Sequence, residues 1–143
     1  MYLVILLLLG TNIYISVVYK QDNNAIYIDA GWEKYSKKAL NSYIEKDRLI
    51  IVNATAKWCI TCQVNKKTTY QSEEFLKFVK ENNIVLLQAD WTSRDENVSK
   101  LLKSYNRYSI PFDIVYGPNN KQGVIMNTIL SPSEIKYTVD SIK

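Results

Sequence analysis

Short apolar runs alternate with amphipathic stretches through most of the 143-residue chain. The continuous apolar run at residues 49–52 (LIIV) is typical of a central strand that is covered on both faces, and residues 84–89 (IVLLQA) are the second candidate for a buried strand. The stretches between them carry apolar side chains at helical spacing. The predicted order of elements is β-α-β-α-α-β-α-β-β-α. Strands that alternate with helices pair in parallel, so we expect an α/β sandwich with a central mixed sheet flanked by helices.

Turn and capping signals mark where these elements begin and end. The run Ser131-Pro132-Ser133-Glu134 is the clearest helix start, because it combines a capping serine, a proline at the first helical position and a glutamate. The predicted strands are 25–28, 49–52, 84–89, 112–116 and 123–130, the last two joined by a hairpin turn at residues 117–120. The predicted helices are 32–44, 59 to about 70, one that begins at Ser72 and buries Phe75, Leu76, Phe78 and Val79, one that is capped at Thr92 and runs through Tyr105, and one that begins at Ser131.

The chain has no histidine and only two cysteines, which excludes several kinds of site. Ser-His and Cys-His catalytic pairs, histidine-ligated metals and imidazole acid–base chemistry all need the missing side chain. A four-cysteine zinc site within one chain is excluded as well. The net charge is +4 and the lysines are scattered rather than clustered, so no nucleic-acid partner is expected.

An uncharged run at residues 2–19 precedes Lys20 and is long enough to cross the hydrocarbon core of a bilayer. We interpret residues 1–20 as a retained transmembrane anchor in contact with lipid, residues 21–30 as a linker with a short strand, and residues 31–143 as the main domain. A cleaved signal peptide is the main alternative, although no basic residue precedes the run and no small-residue cleavage site follows it; a buried core helix is another. The lysines that follow the run place the main domain in the cytoplasm by the positive-inside rule, unless the run is the last span of a longer membrane protein.

Cys59 and Cys62 lie three residues apart at a predicted strand-to-helix junction. That spacing puts both on one helical face with Cα atoms about 5 to 6 Å apart, within the range that a disulfide accepts. The helix N-terminus favours the thiolate of Cys59, whereas Cys62, one turn inside, should be more buried and less reactive. Such a pair suits thiol–disulfide exchange. A zinc site shared with another chain and an inert structural disulfide are the alternatives.

Three segments of the main domain carry a resemblance to a known family. They are Thr55–Asn65 (TAKWCITCQVN), Ala89–Asp95 (ADWTSRD) and Ser109–Phe112 (SIPF). Residues 32–142 resemble a thioredoxin-fold domain, and more closely the C-terminal periplasmic domain of the DsbD family of thiol:disulfide interchange proteins. The first segment is similar to that family's pattern A-D-W-C-x-x-C-K-V-N, and the second is similar to A-D-W-T-x-R-D.

The resemblance implies roles for residues around the cysteine pair. Trp58 would shape the rim of the active site. Pro111 would be a cis-proline that presents the backbone of Ile110 to an extended substrate segment. A packing and capping role, rather than a catalytic one, is expected for Trp91, Arg94 and Asp95.

Three positions depart from the family pattern and change the expected electrostatics of the cysteine pair. Asn53 and Lys57 stand where the family has acids, and Lys66 stands where it often has a glutamate. A nearby carboxylate raises the pKa of a thiol and a nearby lysine lowers it, so we expect the pKa of Cys59 to be lower than in relatives. The absence of an acid at position 53 is also expected to remove a proton acceptor for Cys62.

The resulting hypothesis is a membrane-tethered protein-disulfide reductase of the bacterial inner membrane, with its main domain in the periplasm. The resemblance implies that electrons arrive from a membrane-embedded thiol donor and leave to proteins that carry disulfides. No cofactor beyond the redox-active Cys59–Cys62 disulfide is expected, because the sequence has no dinucleotide or flavin fingerprint, and no metal site is expected. A thiol oxidase or isomerase of the same fold and a degenerate thioredoxin-like binding module are the alternatives.

Overall fold

A five-stranded mixed sheet is the centre of the computed structural model, which describes residues 31–143. The strands are β1 (Trp32–Lys34), β2 (Ile50–Thr55), β3 (Val85–Asp90), β4 (Phe112–Gly117) and β5 (Asn120–Ile125). They lie in the order β1-β3-β2-β4-β5. The first three strands of that order are parallel, β4 is antiparallel to β2, and β5 is antiparallel to β4. The expected mixed α/β sandwich is therefore present.

The helices connect the strands and lie against the sheet. They are α1 (Lys37–Glu45), α2 (Ile60–Asn65), α3 (Glu73–Glu81), α4 (Glu96–Ser104) and α5 (Pro132–Ser141), and a π-helical turn (Lys66–Tyr70) continues directly from α2. The expectations for the anchor at 2–19, the linker at 21–30 and the strand at 25–28 lie outside the described residues. Within residues 31–143, no helix is both long and apolar enough to cross a membrane.

The two central strands are buried along their whole length, because helices cover both faces of the sheet. Alternate side chains of β2 and β4 enter different cores. Val52 and Ile114 pack in one core with residues of α1 and α4. Ile51 and Val115 pack in the other core with Tyr70, Phe75 and residues of α5. The continuous apolar run of β2 thus predicted its central place correctly.

Serine and aspartate side chains cap four of the five described α-helices at their N-termini. Ser72 caps α3 and Ser131 caps α5, as the sequence predicted. The cap of α4 is Asp95 rather than Thr92, so that prediction was wrong. The Thr92 hydroxyl is instead bonded to the Asp90 carboxylate and to the backbone N–H of Lys57.

Three other predictions were wrong at the level of single elements. Residues 32–34 form an edge strand, because they pair with β3 before Ser36 caps α1. The last strand ends at Ile125 rather than residue 130, because a tight turn pairs Gly117 with Asn120 and brings the strand forward. The side chain of Leu76, expected on the buried side of α3, is 38% exposed.

Candidate active site

The cysteine pair lies where β2 ends and α2 begins. β2 ends at Thr55, a short loop follows, and Cys59 is the N-cap residue of α2. Cys59 and Cys62 form a disulfide with Cα atoms 5.2 Å apart, within the spacing that the sequence predicted. The structure therefore places both predicted sulfur atoms together at the junction of a strand and a helix.

The two sulfur atoms have different surroundings. The Sγ atom of Cys59 accepts a hydrogen bond of 3.2 Å from the backbone N–H of Cys62, in the first turn of α2. Residue Cys59 is 7% exposed and Cys62 is 3% exposed, so Cys62 is the more buried of the two. A sulfur that accepts an N–H bond at a helix N-terminus is stabilised as a thiolate after reduction. Cys59 is thus the better candidate for the attacking thiol.

The Ile110–Pro111 peptide bond is cis, in agreement with the expectation from the resemblance. Ile110 packs against a small buried cluster that consists of Ala56, Cys59 and Cys62. The predicted rim residue therefore lies next to the disulfide, although it is far away in the sequence. Exposed apolar groups adjoin the pair, since the side chain of Ile60, between the two cysteines, is 82% exposed.

Trp58 forms one side of the rim and is held in place from the loop that follows β3. Its indole Nε1 donates a hydrogen bond of 3.0 Å to the backbone oxygen of Thr92. The Arg94 guanidinium lies 5.1 Å from the ring centre of Trp58 and 4.2 Å from that of Trp91. Trp91 is buried and Asp95 caps α4, which agrees with the packing and capping role expected for this segment. Trp58 itself remains 50% exposed, so part of its ring is available to a partner.

Asn53 and Lys57, the two predicted electrostatic positions, have different environments. Lys57 is exposed, and its backbone N–H donates to the Thr92 hydroxyl over 3.0 Å. Asn53 is buried in β2, and its Nδ2 atom donates a hydrogen bond of 2.7 Å to Oδ1 of Asp113. The effect of both residues on the pKa of Cys59 stays a prediction.

Asp113 is the residue that sequence reasoning missed. Its carboxylate is buried in β4 directly opposite Asn53 in the strand register. Tyr70 donates a hydrogen bond of 2.5 Å to the same Oδ1 atom. Burial raises the pKa of Asp113 to about 6, against the lowering effect of the bonds from Tyr70 and Asn53. The signal in the sequence was an aspartate within an otherwise apolar strand, two residues after Pro111.

The segment that carries Cys62 is tied to the chain before α5 by two buried side chains. Asn65 donates to the backbone oxygen of Thr128 over 2.8 Å and accepts from the backbone N–H of Leu130 over 3.1 Å. The Thr69 hydroxyl donates to the backbone oxygen of Leu130 over 2.8 Å. These bonds hold α2 and the π-helical turn over the same sheet face that carries Asn53 and Asp113.

A family of proteins described as thioredoxin-like matches residues 31–118 of the sequence. The chain belongs to the thioredoxin-like family. A thioredoxin-like fold that holds a Cys-x-x-Cys disulfide at this junction supports thiol–disulfide oxidoreductase activity.

Solved structures show the same fold at low sequence identity. The C-terminal domain of DsbD from Neisseria meningitidis in its reduced form has a TM-score of 0.58 at 18% identity, with 78% of this chain and 100% of that chain covered. An oxidoreductase named DsbH has a TM-score of 0.58 at 18% identity, with 76% and 83% covered. A thioredoxin variant from Halobacterium salinarum has a TM-score of 0.58 at 11% identity, with 79% and 91% covered. No curated protein sequence is significantly similar to the chain.

Proposed function

We propose that this thioredoxin-like protein is a membrane-tethered protein-disulfide reductase. The observation that carries the proposal is the Cys59–Cys62 disulfide at the N-terminus of α2, packed against Ile110 and next to the half-exposed Trp58. A redox pair beside an exposed apolar rim suits exchange with another protein rather than with a small molecule in a closed pocket.

The reaction is a two-step exchange that passes two electrons to the target. In the dithiol form, the Cys59 thiolate attacks one sulfur of a target disulfide, and the other target sulfur leaves as a thiolate. Cys62 then loses its proton and attacks Cys59. The Cys59–Cys62 bond forms, the mixed disulfide breaks, and the second target sulfur leaves. The target is reduced, and a dithiol donor must reduce the Cys59–Cys62 bond before the next cycle.

The proposed partners follow from the resemblance to the C-terminal domain of DsbD. A membrane-embedded thiol protein of the bacterial inner membrane would supply the electrons. Disulfide-bearing proteins of the periplasm would receive them. Residues 2–19 would hold the domain at the membrane beside its donor.

Reduction of insulin by the purified full chain, with dithiothreitol as donor, tests the activity. We expect turnover by the unchanged chain and none by Cys59→Ser, because the attacking thiol is missing. Cys62→Ser is the matched variant: it should attack once and then stall as a mixed disulfide. If the unchanged chain turns over no faster than dithiothreitol alone, the protein is a binding module and the proposal fails.

Equilibrium with reduced and oxidised glutathione tests the direction of electron flow. A reductase should have a reducing potential, near the value of about −270 mV that is typical of thioredoxin. A thiol oxidase or isomerase is the second candidate. It is favoured by Asn53 and Lys57, which stand where the related family has acids. A stabilised Cys59 thiolate favours the dithiol form and raises the potential. A potential near −120 mV, typical of a strong oxidant, would therefore replace the reductase with the oxidase.

Fractionation of bacterial cells tests the membrane anchor. The full chain should stay with the membranes after alkaline carbonate washing, whereas a chain without residues 2–19 should be released. A protease added to intact spheroplasts should digest the main domain if it faces the periplasm. Protection from that protease would place the domain in the cytoplasm, as the positive-inside rule suggests.

A further inference from the structure

Resolution of the mixed disulfide requires Cys62, a buried thiol, to lose a proton. A thiol that is 3% exposed has little direct contact with water that could take that proton. Buried carboxylates can act as general bases at such positions. The sequence suggested that the acceptor is missing, because Asn53 stands where the related family has an acid.

We propose that Asp113 takes that role and is the buried proton acceptor for Cys62. The inference rests on the proposed function, since it concerns the second step of the exchange. It differs from the expectation drawn from the sequence in placing the acid on β4 rather than on β2.

The strand register places Asp113 three residues after Ile110, on the strand that leads away from the cysteine cluster. The last registered pair of β2 and β4 is Ala54 and Phe112, and Asn53 and Asp113 form the pair before it. Two positions beyond Ala54 and Phe112 lie Ala56 and Ile110, which both pack in the cluster with Cys62. At about 3.3 Å per residue, the backbone of Asp113 is thus about 10 Å along the strands from that cluster.

The side chain of Asp113 lies on the sheet face that the Cys62 segment covers. Asn53 and Asp113 alternate with residues of the opposite core and share their face with Ile51 and Val115. Tyr70, eight residues after Cys62 on the continuous helical segment, reaches down to that face and bonds Asp113. The same helical segment therefore carries both the Cys62 thiol and Tyr70, which donates to the Asp113 carboxylate.

One oxygen of Asp113 is available to accept a proton. Asn53 and Tyr70 both bond to Oδ1, whereas Oδ2 is buried and has no hydrogen-bond partner among residues 31–143. A buried oxygen without a partner is unusual in a folded protein. A role for Oδ2 in taking up and releasing a proton during the reaction cycle accounts for the free energy that this burial costs.

The titration range of Asp113 suits proton exchange near neutral pH. Burial, and to a smaller extent the negative charge of Glu134 on α5, raise its pKa to about 6 against the lowering effect of the donors Tyr70 and Asn53. The carboxylate is thus ionised at pH 7 yet basic enough to take a proton. In the step itself, the proton passes from the Cys62 sulfur to Asp113, the Cys62–Cys59 bond forms, and the target thiolate leaves. The Asp113 proton then returns to solvent or to the next dithiol.

Thiolate absorbance in single-cysteine variants tests whether Asp113 and Cys62 interact. Cys59→Ser leaves Cys62 as the only thiol, and Cys59→Ser/Asp113→Asn also removes the Asp113 carboxylate. An ionised carboxylate disfavours a second negative charge, so Asp113→Asn should lower the pKa of Cys62 by about one unit. An unchanged or higher pKa would overturn the inference.

The pH profile of insulin reduction tests whether the interaction serves the reaction. In the unchanged chain, we expect the rate of insulin reduction to fall as the pH drops through about 6. In Asp113→Asn, this acidic limb should disappear, and the rate above pH 7 should be lower by about tenfold or more. Tyr70→Phe removes a bond that lowers the pKa of Asp113, so it should move the limb to higher pH. This second variant keeps the test informative if Asp113→Asn does not fold.

Thr69→Val is the matched control for the loss of a buried hydrogen bond. It removes the bond to Leu130 from the residue next to Tyr70 without touching a titratable group. Its pH profile should keep the limb in place. Turnover by the unchanged chain with identical profiles in Asp113→Asn and Tyr70→Phe would refute the role of Asp113 alone, whereas no turnover by the unchanged chain would refute the proposed function and this step with it.

Discussion

Asn53 and Asp113 face each other across two antiparallel strands, so a carboxylate at either position reaches the same buried point. An amide and a carboxylate form one bond there without the repulsion of two negative charges. A carboxylate at both positions would force the pair to share a proton. The electrostatic effect of the residue at position 53 therefore depends on its partner Asp113, sixty positions later.

Asn53→Asp is expected to raise the pKa of Cys59, because the second carboxylate adds negative charge below the cysteine loop once the proton that it shares with Asp113 is lost. The variant is best studied together with Cys62→Ser, so that Cys59 is the only thiol whose absorbance is titrated. Asn53→Asp/Asp113→Asn is the control, since it moves the carboxylate to β2 and keeps the number of acids constant. A pKa of Cys59 that stays the same or falls in Asn53→Asp would contradict the expectation.

Burial of Asp113 should also make folding depend on pH. Its pKa is about 6 in the folded chain and close to 3.8 when unfolded, so the folded state binds more protons between these values. Stability from this group is complete below pH 4 and is lost as the pH rises through 6. The loss is about 3 kcal/mol at most, at about 1.4 kcal/mol per pKa unit.

Urea unfolding of the oxidised chain at pH 4 and pH 7.5 measures this effect, since the disulfide does not titrate. The free energy of unfolding of the unchanged chain should fall relative to that of Asp113→Asn between the two pH values. An equal difference at both pH values would show that folding does not raise the pKa of Asp113.

At the scale of elements, local signals worked where a cap and its helix are adjacent in sequence. Ser72 and Ser131 were correctly predicted because an N-cap needs only its own side chain and the next few N–H groups. Thr92 also fits the pattern of a cap. It failed because its hydroxyl bonds Asp90 and the Lys57 loop, a contact between segments that are far apart in sequence.

Asp95→Ala and Thr92→Ala should therefore have different effects. Asp95 accepts from the N–H groups of Asn97 and Val98, so its loss should destabilise the protein by about 1 kcal/mol and speed hydrogen exchange in the first turn of α4. Thr92→Ala should leave that turn protected and loosen the Lys57 loop instead. Faster exchange at Asn97 and Val98 in Thr92→Ala than in Asp95→Ala would contradict this assignment.

For the molecule as a whole, the alternation of apolar and amphipathic segments was sufficient to predict the mixed sandwich. It did not predict the three-residue strand β1, because that strand is defined by its pairing with β3 rather than by its own residues. Sequence motifs were sufficient to predict the cysteine pair at a strand-to-helix junction and Pro111 beside it. The bond between Asn53 and Asp113 could not be predicted in this way, since strand register is set by the complete fold.

The full burial of β2 and β4 has a consequence for how the protein opens. Their amide protons are paired inside the sheet, so they should exchange with deuterium only when the whole domain unfolds. Cys59 follows the end of β2, and Ile110 precedes the start of β4. The cysteine loop and the Ile110–Pro111 loop are therefore both attached to the two strands that should exchange most slowly. Mass spectrometry of deuterium uptake should find these two strands among the last peptides to be labelled. Deuterium uptake in β2 and β4 should then be the same in the oxidised and reduced forms. Differences between the two forms should be confined to the loops that carry Cys59 and Ile110.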